Sequence, residues 1–399
     1  EIQDHPKVAE AMSGPDCEEW RAAIDSEMQN LEKMGVLELC DKTPDEAVST
    51  KFDLRIKRDE HGNIARYKAR LVARGFSQVY GRDFHETWAP TCRPETLRAL
   101  LIAADKYKMV AHHIDVDCAF LNAPLSEEIY VSLPEGCGYG KYARLRKALY
   151  GLKQAGHEWY KLLCSTLKVD GWDPCVSDAC LYKRKVGGAA EYIIVYVDDM
   201  VIFANNLERV GTIKAELKER FALKDLGEVR CFLGVSIQRD AVNGHTWIGQ
   251  TQYALDVVNT FSDDVGLDVR STPIGKIPAI EKVEVGKETK SLFKSIVGKI
   301  GFIARWTRPD LAVAHSILGR YQENPSEEAF ALASRILGYL WLTREKGITL
   351  KGSVDKDKIL VYSDSDWGGD RDDRRSQSGS VVFIAGGLVN WNSSKQKTK

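Results

Sequence analysis

The chain has 399 residues and a mass of 44.7 kDa, more than one ordinary hydrophobic core accommodates, so two or three subdomains are expected. Hydrophobic residues make up 44% and charged residues 28%, which excludes low complexity, collagen and wholesale disorder. With 56 Lys and Arg against 57 Asp and Glu the net charge is −1, so nucleic-acid binding would have to depend on local basic clusters.

The N-terminal part of the chain predicts a helix, a basic hairpin and a second helix. Apolar residues recur at helical spacing within residues 16–35, and a glycine ends the pattern. Residues 51–74 contain eight Lys or Arg against three acids, and 61–63 have turn composition, which predicts two short basic strands. Helical spacing returns after Pro94.

The middle of the chain combines apolar strands with a second basic segment. Residues 113–121 are apolar apart from Asp115 and Asp117, which predicts a buried strand. Residues 141–153 carry five Lys or Arg and no acid. Residues 192–204 form two apolar half-strands around an Asp-Asp pair, which predicts a hairpin.

The C-terminal part predicts helices between two groups of strands. A helix over 207–221 precedes a hairpin over 231–250, and 273–290 is a polar stretch that we interpret as a linker. Helical spacing then extends over 293–343, and strands return over 359–391.

Membrane and disulfide signatures are lacking in the sequence. No apolar run approaches the roughly 18–20 residues that a membrane helix needs. The chain begins at Glu1 without a signal-like segment, which we interpret as a piece of something longer. The nine cysteines are scattered, which favours a reducing compartment over a disulfide framework or a structural zinc site.

Three carboxylates stand where hydrophobicity predicts none. Asp198 and Asp199 lie between two apolar half-strands, and Asp115 interrupts another apolar strand. Asp-Asp between strands is also an ordinary turn dipeptide, and Asp115 alone would more often be a partnered buried acid or a strand-end residue. Gathered on one sheet, the three would repel each other unless cations neutralised them, and two divalent ions would serve phosphoryl chemistry.

The segment YVDDM at 196–200 resembles the catalytic motif of reverse transcriptases, and its surroundings resemble the copia-type LTR retrotransposons. The resemblance extends over essentially the whole chain. The further motifs that carry it are KARLVARGFSQ (68–78), IDVDCAFLN (114–122), ALYGLKQAG (148–156), LKDLGEVRCFLG (223–234), RPDLAVA (308–314) and YSDSDWGGDRDDRRSQSGS (362–380).

This resemblance implies an α+β fold, a right-hand polymerase with fingers, thumb and a palm built on an antiparallel sheet, followed by the start of a ribonuclease H-like α/β domain. Residues 1–272 would form the fingers and palm. Residues 273–352 would form a linker and a helical thumb or connection, and 353–399 a truncated ribonuclease H-like domain.

The resemblance also assigns the catalytic metal site. Asp115 and Asp198 would be the main ligands of two divalent cations, Mg²⁺ or alternatively Mn²⁺, with Asp199 completing the acidic site. One ion would lower the pKa of the primer 3′-hydroxyl, and the other would hold the triphosphate and the leaving pyrophosphate.

Five further residues are implied in dNTP binding. Phe120 stands at the family's sugar-gate position, where a ring can exclude a 2′-hydroxyl, although a core aromatic is the alternative. Lys68, Arg70 and Arg74 would grip the triphosphate, although each alone could belong to a solvated strand face. Gln154 belongs to a segment that packs the nucleotide against the template.

Two further roles follow from the same resemblance. Phe232, Leu233 and Gly234 look like the primer-positioning hairpin, where glycine lets backbones approach. Lys224 is a candidate proton donor to pyrophosphate, with an ordinary exposed lysine as the alternative.

Competing motifs fail on inspection. Residues 136–141 approach a phosphate loop, but the spacing is one residue short and the required Ser or Thr is missing, so we predict a plain loop. His112 and His113 have no acid at metal-ligand spacing, which favours a positioning role beside the strand. His85 lacks the second histidine of a metalloprotease motif.

The chain also departs from the family pattern. Asp117 occupies a position where lysine or a small residue is common, and Gly156-His157 replaces a usual Pro-Arg. Asp364 matches the first metal-binding acid of ribonuclease H, whereas Asp366 is interpreted as its structural neighbour. The remaining acids of that site would lie beyond Lys399, so we expect no ribonuclease H activity from this chain.

The sequence therefore predicts an RNA-directed DNA polymerase that transfers dNTPs to a primer 3′-hydroxyl. The alternatives are a decayed element remnant that binds nucleic acid without catalysis, and a two-metal nuclease. Implied partners are an RNA template, a DNA primer or RNA–DNA hybrid, dNTPs, and the protease and integrase of the Pol polyprotein, with no membrane. The implied setting is intracellular, in cytoplasmic virus-like particles, or nuclear with the element's cDNA.

Overall fold

The computed structural model describes residues 4–40, 46–59, 62–134, 139–275, 283–352, 358–370 and 373–398. The α-helices of this part are α1 Val8–Ser13, α2 Cys17–Lys33, α3 Pro94–Lys106, α4 Ala119–Asn122, α5 Ala155–Val169, α6 Leu207–Lys218, α7 Thr251–Val265, α8 Lys287–Trp306, α9 Ala312–Leu318 and α10 Glu327–Leu342.

The strands form four sheets. They are β1 Leu37–Cys40, β2 Val48–Arg58, β3 Ile64–Ala73, β4 Val110–Val116, β5 Pro124–Ser132, β6 Tyr142–Lys147, β7 Asp173–Pro174, β8 Leu181–Val186, β9 Ala189–Tyr196, β10 Asp199–Ala204, β11 Leu223–Glu228, β12 Cys231–Phe232, β13 Val235–Asp240, β14 His245–Gly249, β15 Gly347–Lys351, β16 Ile359–Ser365, β17 Gln377–Ile384 and β18 Gly387–Lys395. Their orders are β1-β6-β5-β2-β3, β11-β4-β10-β9-β8-β7, β12-β13-β14-β15 and β16-β17-β18.

The predicted basic hairpin is formed by β2 and β3, which pair antiparallel with Arg55 opposite Lys68. Because side chains alternate along a strand, the hairpin has two different faces. Its inner face is buried in the core through Phe52, Leu54, Ile56, Ala69 and Leu71. Its outer side, called the basic face below, carries Lys51, Arg55, Lys57, Arg66, Lys68 and Arg70.

The six-stranded sheet holds the three predicted catalytic acids. β9 and β10 form the expected hairpin, and their residues Ile193, Ile194 and Met200 are fully buried. β10 pairs with β4 on its other side, so the sheet centre is apolar on both faces. This burial explains why β9 and β10 read as nearly continuous apolar runs.

The strand predicted over 113–121 is shorter than expected. β4 ends at Val116, and Cys118 adopts the left-handed conformation at φ 52° before α4 begins at Ala119. The apolar run continues into a helical turn instead of a strand, because α4 also packs its residues into the core.

The C-terminal helices α7 to α10 form a second core, called the helical cluster below. α7 belongs to this cluster but was not predicted. The linker predicted over 273–290 is wrong at its end, since α8 begins at Lys287; residues 276–282 lie outside the described part. The predicted helix over 207–221 is shorter, because α6 ends at Lys218, and Leu207 at its start is exposed.

The three-stranded sheet β16-β17-β18 carries the strands predicted over 359–391, and β15 was not predicted. Arg98 of α3 joins this sheet to the rest of the molecule. Its guanidinium donates to the carbonyl of Val389 at 2.6 Å and to that of Trp306 at 2.8 Å, and lies 4.2 Å from the ring centroid of Trp391.

In the described part of the chain no helix is both long and apolar enough to cross a membrane. The cysteines resolved there are all free thiols. Residues 136–138 of the loop predicted over 136–141 lie outside the described residues.

Candidate active site

The three predicted catalytic acids meet at one edge of the six-stranded sheet. Asp115 on β4 stands directly opposite Asp199 at the start of β10. Asp198 occupies the two-residue tip between β9 and β10, beside Val197 at φ 59°. The tip is fixed because the amide of Val116 donates to the carbonyl of Asp198 at 2.9 Å.

Two of these carboxyl groups are electrostatically unfavourable as anions. Burial raises the pKa of Asp115, and the neighbouring charges of Asp198 and Asp199 raise it further. Burial likewise raises the pKa of Asp198, with a further contribution from Asp199. Carboxylates held in such proximity favour either protonation or a cation between them.

Asp199 is oriented differently from the other two acids. Its Oδ1 lies 3.2 Å from Nε2 of His113 on β4, and it is absent from the lining of the cleft described below. Within the described residues, no three His, Cys, Asp or Glu side chains are already arranged as a set of metal ligands. The acids are therefore brought together without a preformed cage.

Lys224 lies beside the acids because β11 pairs with β4, with Lys224 opposite Asp115. Its ammonium lies 2.7 Å from Oδ1 of Asp117 and 3.8 Å from Oδ2 of Asp115. The hydrogen bond to Asp117 raises the pKa of Lys224. The unusual acid at position 117 thus holds this lysine in its charged form.

A cleft of about 1070 Å³ opens in front of Asp115 and Asp198. Its walls are α2, the middle of β3, the turn after β4 and the hairpin tip. Of the residues predicted to be functional, those in its lining are Lys68, Arg70, Asp115, Phe120, Asp198 and Lys224.

The wall formed by β3 is positively charged. Burial lowers the pKa of Lys68, and the neighbouring charges of Arg70 and Arg66 lower it further. Arg70 lies with its guanidinium carbon 5.0 Å from the ring centroid of Tyr150. The cleft therefore places cations opposite carboxylates across a space of nucleotide size.

Phe120 faces the same cleft as Asp115 although five residues separate them. A continuous strand would have put the two on opposite faces, but the left-handed Cys118 ends the strand and α4 turns the ring back. Phe120 is half-buried, with its ring centroid 6.0 Å from that of Tyr150. The structure thus contains the bend without which Phe120 could not face the same cleft as Asp115.

Two predicted dNTP-binding residues lie outside the cleft. Gln154 is fully buried, and its amide donates to the carbonyl of Asp83 at 2.7 Å and accepts from Gln78 at 3.0 Å. Arg74 is exposed where β3 has already ended, and the cleft lining does not include it. The side chain of Gln154 is hydrogen-bonded to the loop that follows β3, and it is not part of the cleft lining.

The hairpin predicted at 232–234 is present as β12 and β13. Leu233 and Gly234 form its turn, with φ 53° and 72°. Phe232 is buried, and its ring lies 6.0 Å from that of His113, which in turn contacts Asp199. The hairpin is thereby connected to the acidic edge of the sheet.

The C-terminal acids lie on the three-stranded sheet. Asp364 is exposed on β16, whereas Asp366 accepts from the amide of Gln377 at 2.8 Å. Backbone bonding of this kind fits the structural role expected for Asp366.

Sequence reasoning missed one wall of the cleft and one aromatic residue. α2 presents Ser26, Glu27 and Asn30 to the cleft, beside its apolar stripe. The helical spacing of α2 separates these polar residues from the apolar ones, so this polar side of the helix could have been predicted from the sequence. Tyr150 lies within a family-like motif, but no pattern in the sequence distinguishes it from a core aromatic.

Comparison with known families finds one match within this chain. The family described as reverse transcriptase (RNA-dependent DNA polymerase) matches residues 36–274.

Curated relatives match nearly the whole chain. The retrovirus-related Pol polyprotein from transposon TNT 1-94 of Nicotiana tabacum is 33% identical over 98% of this chain and 30% of its own length. That from transposon RE1 of Arabidopsis thaliana is 33% identical over 95% of this chain and 26% of its own length. A transposon Ty5-1 protein of Saccharomyces cerevisiae is 32% identical over 71% of this chain and 93% of its own length. The chain thus spans less than a third of the two plant polyproteins.

A solved structure supports the fold. The foamy viral protease-reverse transcriptase, determined in complex with double-stranded DNA, superposes with a TM-score of 0.51 at 15% sequence identity. The match covers 94% of this chain and 55% of that chain. At this identity the likeness concerns the fold alone.

Proposed function

The chain belongs to the reverse transcriptase family of copia-type retrotransposon Pol polyproteins, and we propose that it is an RNA-directed DNA polymerase. The observation that carries the proposal is the meeting of Asp115 and Asp198 at the base of a cleft whose opposite wall is basic. Nucleotidyl transfer needs this combination of an anionic end for metal ions and a cationic wall for a triphosphate.

The acidic edge fits divalent cations by its donor chemistry. Hard oxygen ligands suit Mg²⁺ or Mn²⁺. Burial and, after it, the neighbouring carboxylates raise the pKa values of Asp115 and Asp198, and bound cations would stabilise the charged forms. Asp115 and Asp198 would hold the ions, and Asp199 would join them on leaving His113. When bound, the ions would activate the primer hydroxyl and stabilise the charge on the departing pyrophosphate.

The residues around the cleft would position the incoming nucleotide. Lys68 and Arg70 would bind the triphosphate, since both project from the basic face into the cleft. Phe120 would stand against the ribose and exclude a 2′-hydroxyl. Lys224 would hold a proton at its ammonium for the leaving pyrophosphate, with Asp117 keeping it charged.

The nucleic-acid partners follow from the same site. An RNA or DNA template paired with a primer would lie across the sheet, with the primer end held near Phe232, Leu233 and Gly234. We propose a polyprotein context with protease and integrase, and an intracellular setting in virus-like particles, on the basis of the family alone.

The division into fingers and palm over 1–272, thumb or connection over 273–352, and a ribonuclease H-like part over 353–399 stays a proposal. The packing of α7 with α8 and α10 supports counting that helix with the thumb. An antiparallel sheet bearing Asp364 is compatible with the start of a ribonuclease H-like domain.

Primer extension tests the proposed activity directly. The protein is incubated with Mg²⁺, the four dNTPs and a labelled DNA primer on an RNA template. Primer lengthening is expected; shortening of the primer or template would indicate the two-metal nuclease instead. Binding of template-primer without extension would indicate the decayed remnant.

Substitution Asp198→Asn tests the acid assignment in the same assay. The amide keeps the size of the side chain but loses the charge that a divalent ion needs, so extension should fall by at least about 100-fold. Template-primer affinity should be retained. Extension within about tenfold of the wild type would contradict the metal-ligand role.

A further inference from the structure

Tyr150 is anchored by its backbone to the base of the basic hairpin. Its carbonyl accepts a hydrogen bond from the amide of Ala73, the last residue of β3, at 2.7 Å. The next residue, Gly151, has φ 87°, and a Cβ there would come within 2.2 Å of the Ala73 carbonyl oxygen. Such close backbone contact fixes where the Tyr150 side chain enters the cleft.

The ring of Tyr150 separates two residues with different proposed roles. On one side the guanidinium of Arg70 lies 5.0 Å from its centroid, within the range of a cation–π contact. On another, the ring of Phe120 meets it edge to face, with centroids 6.0 Å apart. Tyr150 thus contacts both the triphosphate side and the sugar side of the cleft.

The hydroxyl of Tyr150 adds a third connection. It lies beside the side chain of Cys118, the left-handed residue that turns the chain from Asp115 towards Phe120. Burial raises the pKa of Tyr150, so this hydroxyl keeps its proton. The position of the ring therefore depends mainly on its contacts with Arg70 and Phe120.

From these contacts we propose that Tyr150 is a positioning residue that fixes Phe120 against the ribose and Arg70 against the triphosphate. The inference rests on the proposed polymerase function and deepens it by naming a residue that determines sugar selectivity. Without the aromatic ring, Phe120 gains rotational freedom and Arg70 loses its supporting surface. Selectivity against rNTPs and affinity for dNTPs should then fall together.

Two substitutions distinguish the role of the Tyr150 ring from the role of its hydroxyl. Tyr150→Leu removes the aromatic surface, whereas Tyr150→Phe removes only the oxygen and serves as the matched control. Phe261→Leu, a comparable truncation of a buried aromatic in the helical cluster, shows what a loss of stability alone does. Melting temperatures of all variants are measured alongside.

The measurement is nucleotide binding without chemistry. A template-primer ending in a dideoxynucleotide captures the next correct dNTP or rNTP in a stable complex, and the ratio of the two dissociation constants gives the sugar selectivity. Tyr150→Leu is expected to weaken dNTP binding and to lower the selectivity about tenfold. Tyr150→Phe and Phe261→Leu are expected to keep the wild-type ratio.

Coupling to Phe120 completes the test. If the ring of Tyr150 acts by holding Phe120, the double variant Phe120→Ala with Tyr150→Leu should lose little more selectivity than Phe120→Ala alone. A Tyr150→Leu protein with a lowered melting temperature but wild-type selectivity would overturn the inference and make Tyr150 a core residue. A wild-type protein that forms no nucleotide-dependent complex would instead overturn the proposed function.

Discussion

At the scale of single residues, the acidic edge concentrates charge that the fold itself does not neutralise. Asp115 and Asp198 lie close enough for the charge of Asp198 to raise the pKa of Asp115, and the ammonium nearest to Asp115 is engaged mainly by Asp117. Such a site lowers the stability of the metal-free protein at neutral pH and favours cation binding. Its carboxylates can therefore be examined through stability as well as through activity.

The pH dependence of stability should reveal this repulsion. Because the folded-state pKa values of Asp115 and Asp198 are raised, their contribution to stability is fully present below the unfolded value of about 4 and is lost as the pH rises through the folded values. The melting temperature of Asp198→Asn should therefore exceed that of the metal-free wild type at neutral pH, and the gap should close towards pH about 4.

The melting temperatures of the wild type and Asp198→Asn are also compared with and without divalent ions. Mg²⁺ should raise the melting temperature of the wild type at neutral pH but have little effect on Asp198→Asn. Asp264→Asn, which alters an exposed carboxylate on α7, is the control and should follow the wild type. A gap between wild type and Asp198→Asn that is independent of pH would show that repulsion at this edge is unimportant.

Substitution Phe120→Ala tests the sugar gate. The ring is half-buried and faces the cleft, so its removal opens space beside the ribose, and relative incorporation of rNTPs should rise by about tenfold or more. The check is the ratio of kcat/KM for rNTP and dNTP, together with the free energy of unfolding. Destabilisation by about 3–5 kcal/mol with an unchanged ratio would mark Phe120 as a core residue.

At the scale of elements, the β2–β3 hairpin shows how one periodicity produces both a core and a binding surface. Alternation buries its apolar residues and leaves six cations on the basic face. The second basic segment, 141–153, is different: Arg144 and Arg146 form ion pairs with Glu128 and Glu38. The basic face contains one such pair, between Arg55 and Asp53, and its remaining cations give it a net positive charge that can attract phosphates.

The salt dependence of template-primer binding should reflect this difference. Replacing Arg55 and Lys57 by Gln should lower the slope of log K against log salt by about 1 for each phosphate that the variant no longer neutralises. The control replaces Lys183 and Lys185, two exposed cations on β8, in the same way. If the affinity of the wild type for template-primer does not change between about 50 and 200 mM salt, the basic face does not bind phosphates.

How far the sequence predicts these elements depends on where each finds its partner. The hairpins and α2 were predictable, because each combines regular local spacing with apolar residues that are buried in a core. The strand predicted over 113–121 was too long at its end, since the turn at Cys118 depends on a left-handed conformation. A cysteine in the sequence does not predict that conformation. β15 was missed because its pairing partner, β14, lies far earlier in the chain, and short apolar runs do not identify distant partners.

At the scale of the whole molecule, α3 connects the catalytic sheet to the C-terminal parts. Arg98 is 1% exposed, and it donates to carbonyls of Arg305 and Trp306 at the end of α8 and of Val389 on β18. Burial lowers the pKa of Arg98 to about 10, which still leaves it charged at neutral pH. A single side chain thus satisfies backbone groups from two different units.

Substitution Arg98→Met should be strongly destabilising. It keeps the aliphatic length but removes the donor from three carbonyls, of which those of Trp306 and Val389 are bonded in a buried position, and a loss of about 3–5 kcal/mol in the free energy of unfolding is expected. Denaturant titration followed by circular dichroism provides the measurement. Arg98→Lys, which retains one cation, should be intermediate; a loss below about 1 kcal/mol in Arg98→Met would show that water replaces the guanidinium.

The contact between the end of β3 and the turn after Tyr150 has a mechanical consequence. A Cβ on Gly75 would come within 2.2 Å of the Gly151 carbonyl oxygen, and one on Gly151 equally close to Ala73, so the backbones interlock without space for rotation. The hairpin is therefore fixed at its base, and its inner face is held in the core as far as Ile56, so any bending is expected close to its turn. Arg70 lies in the part that is held on both accounts, whereas Lys57 and Arg66 lie at the end of the buried face, nearer to the turn.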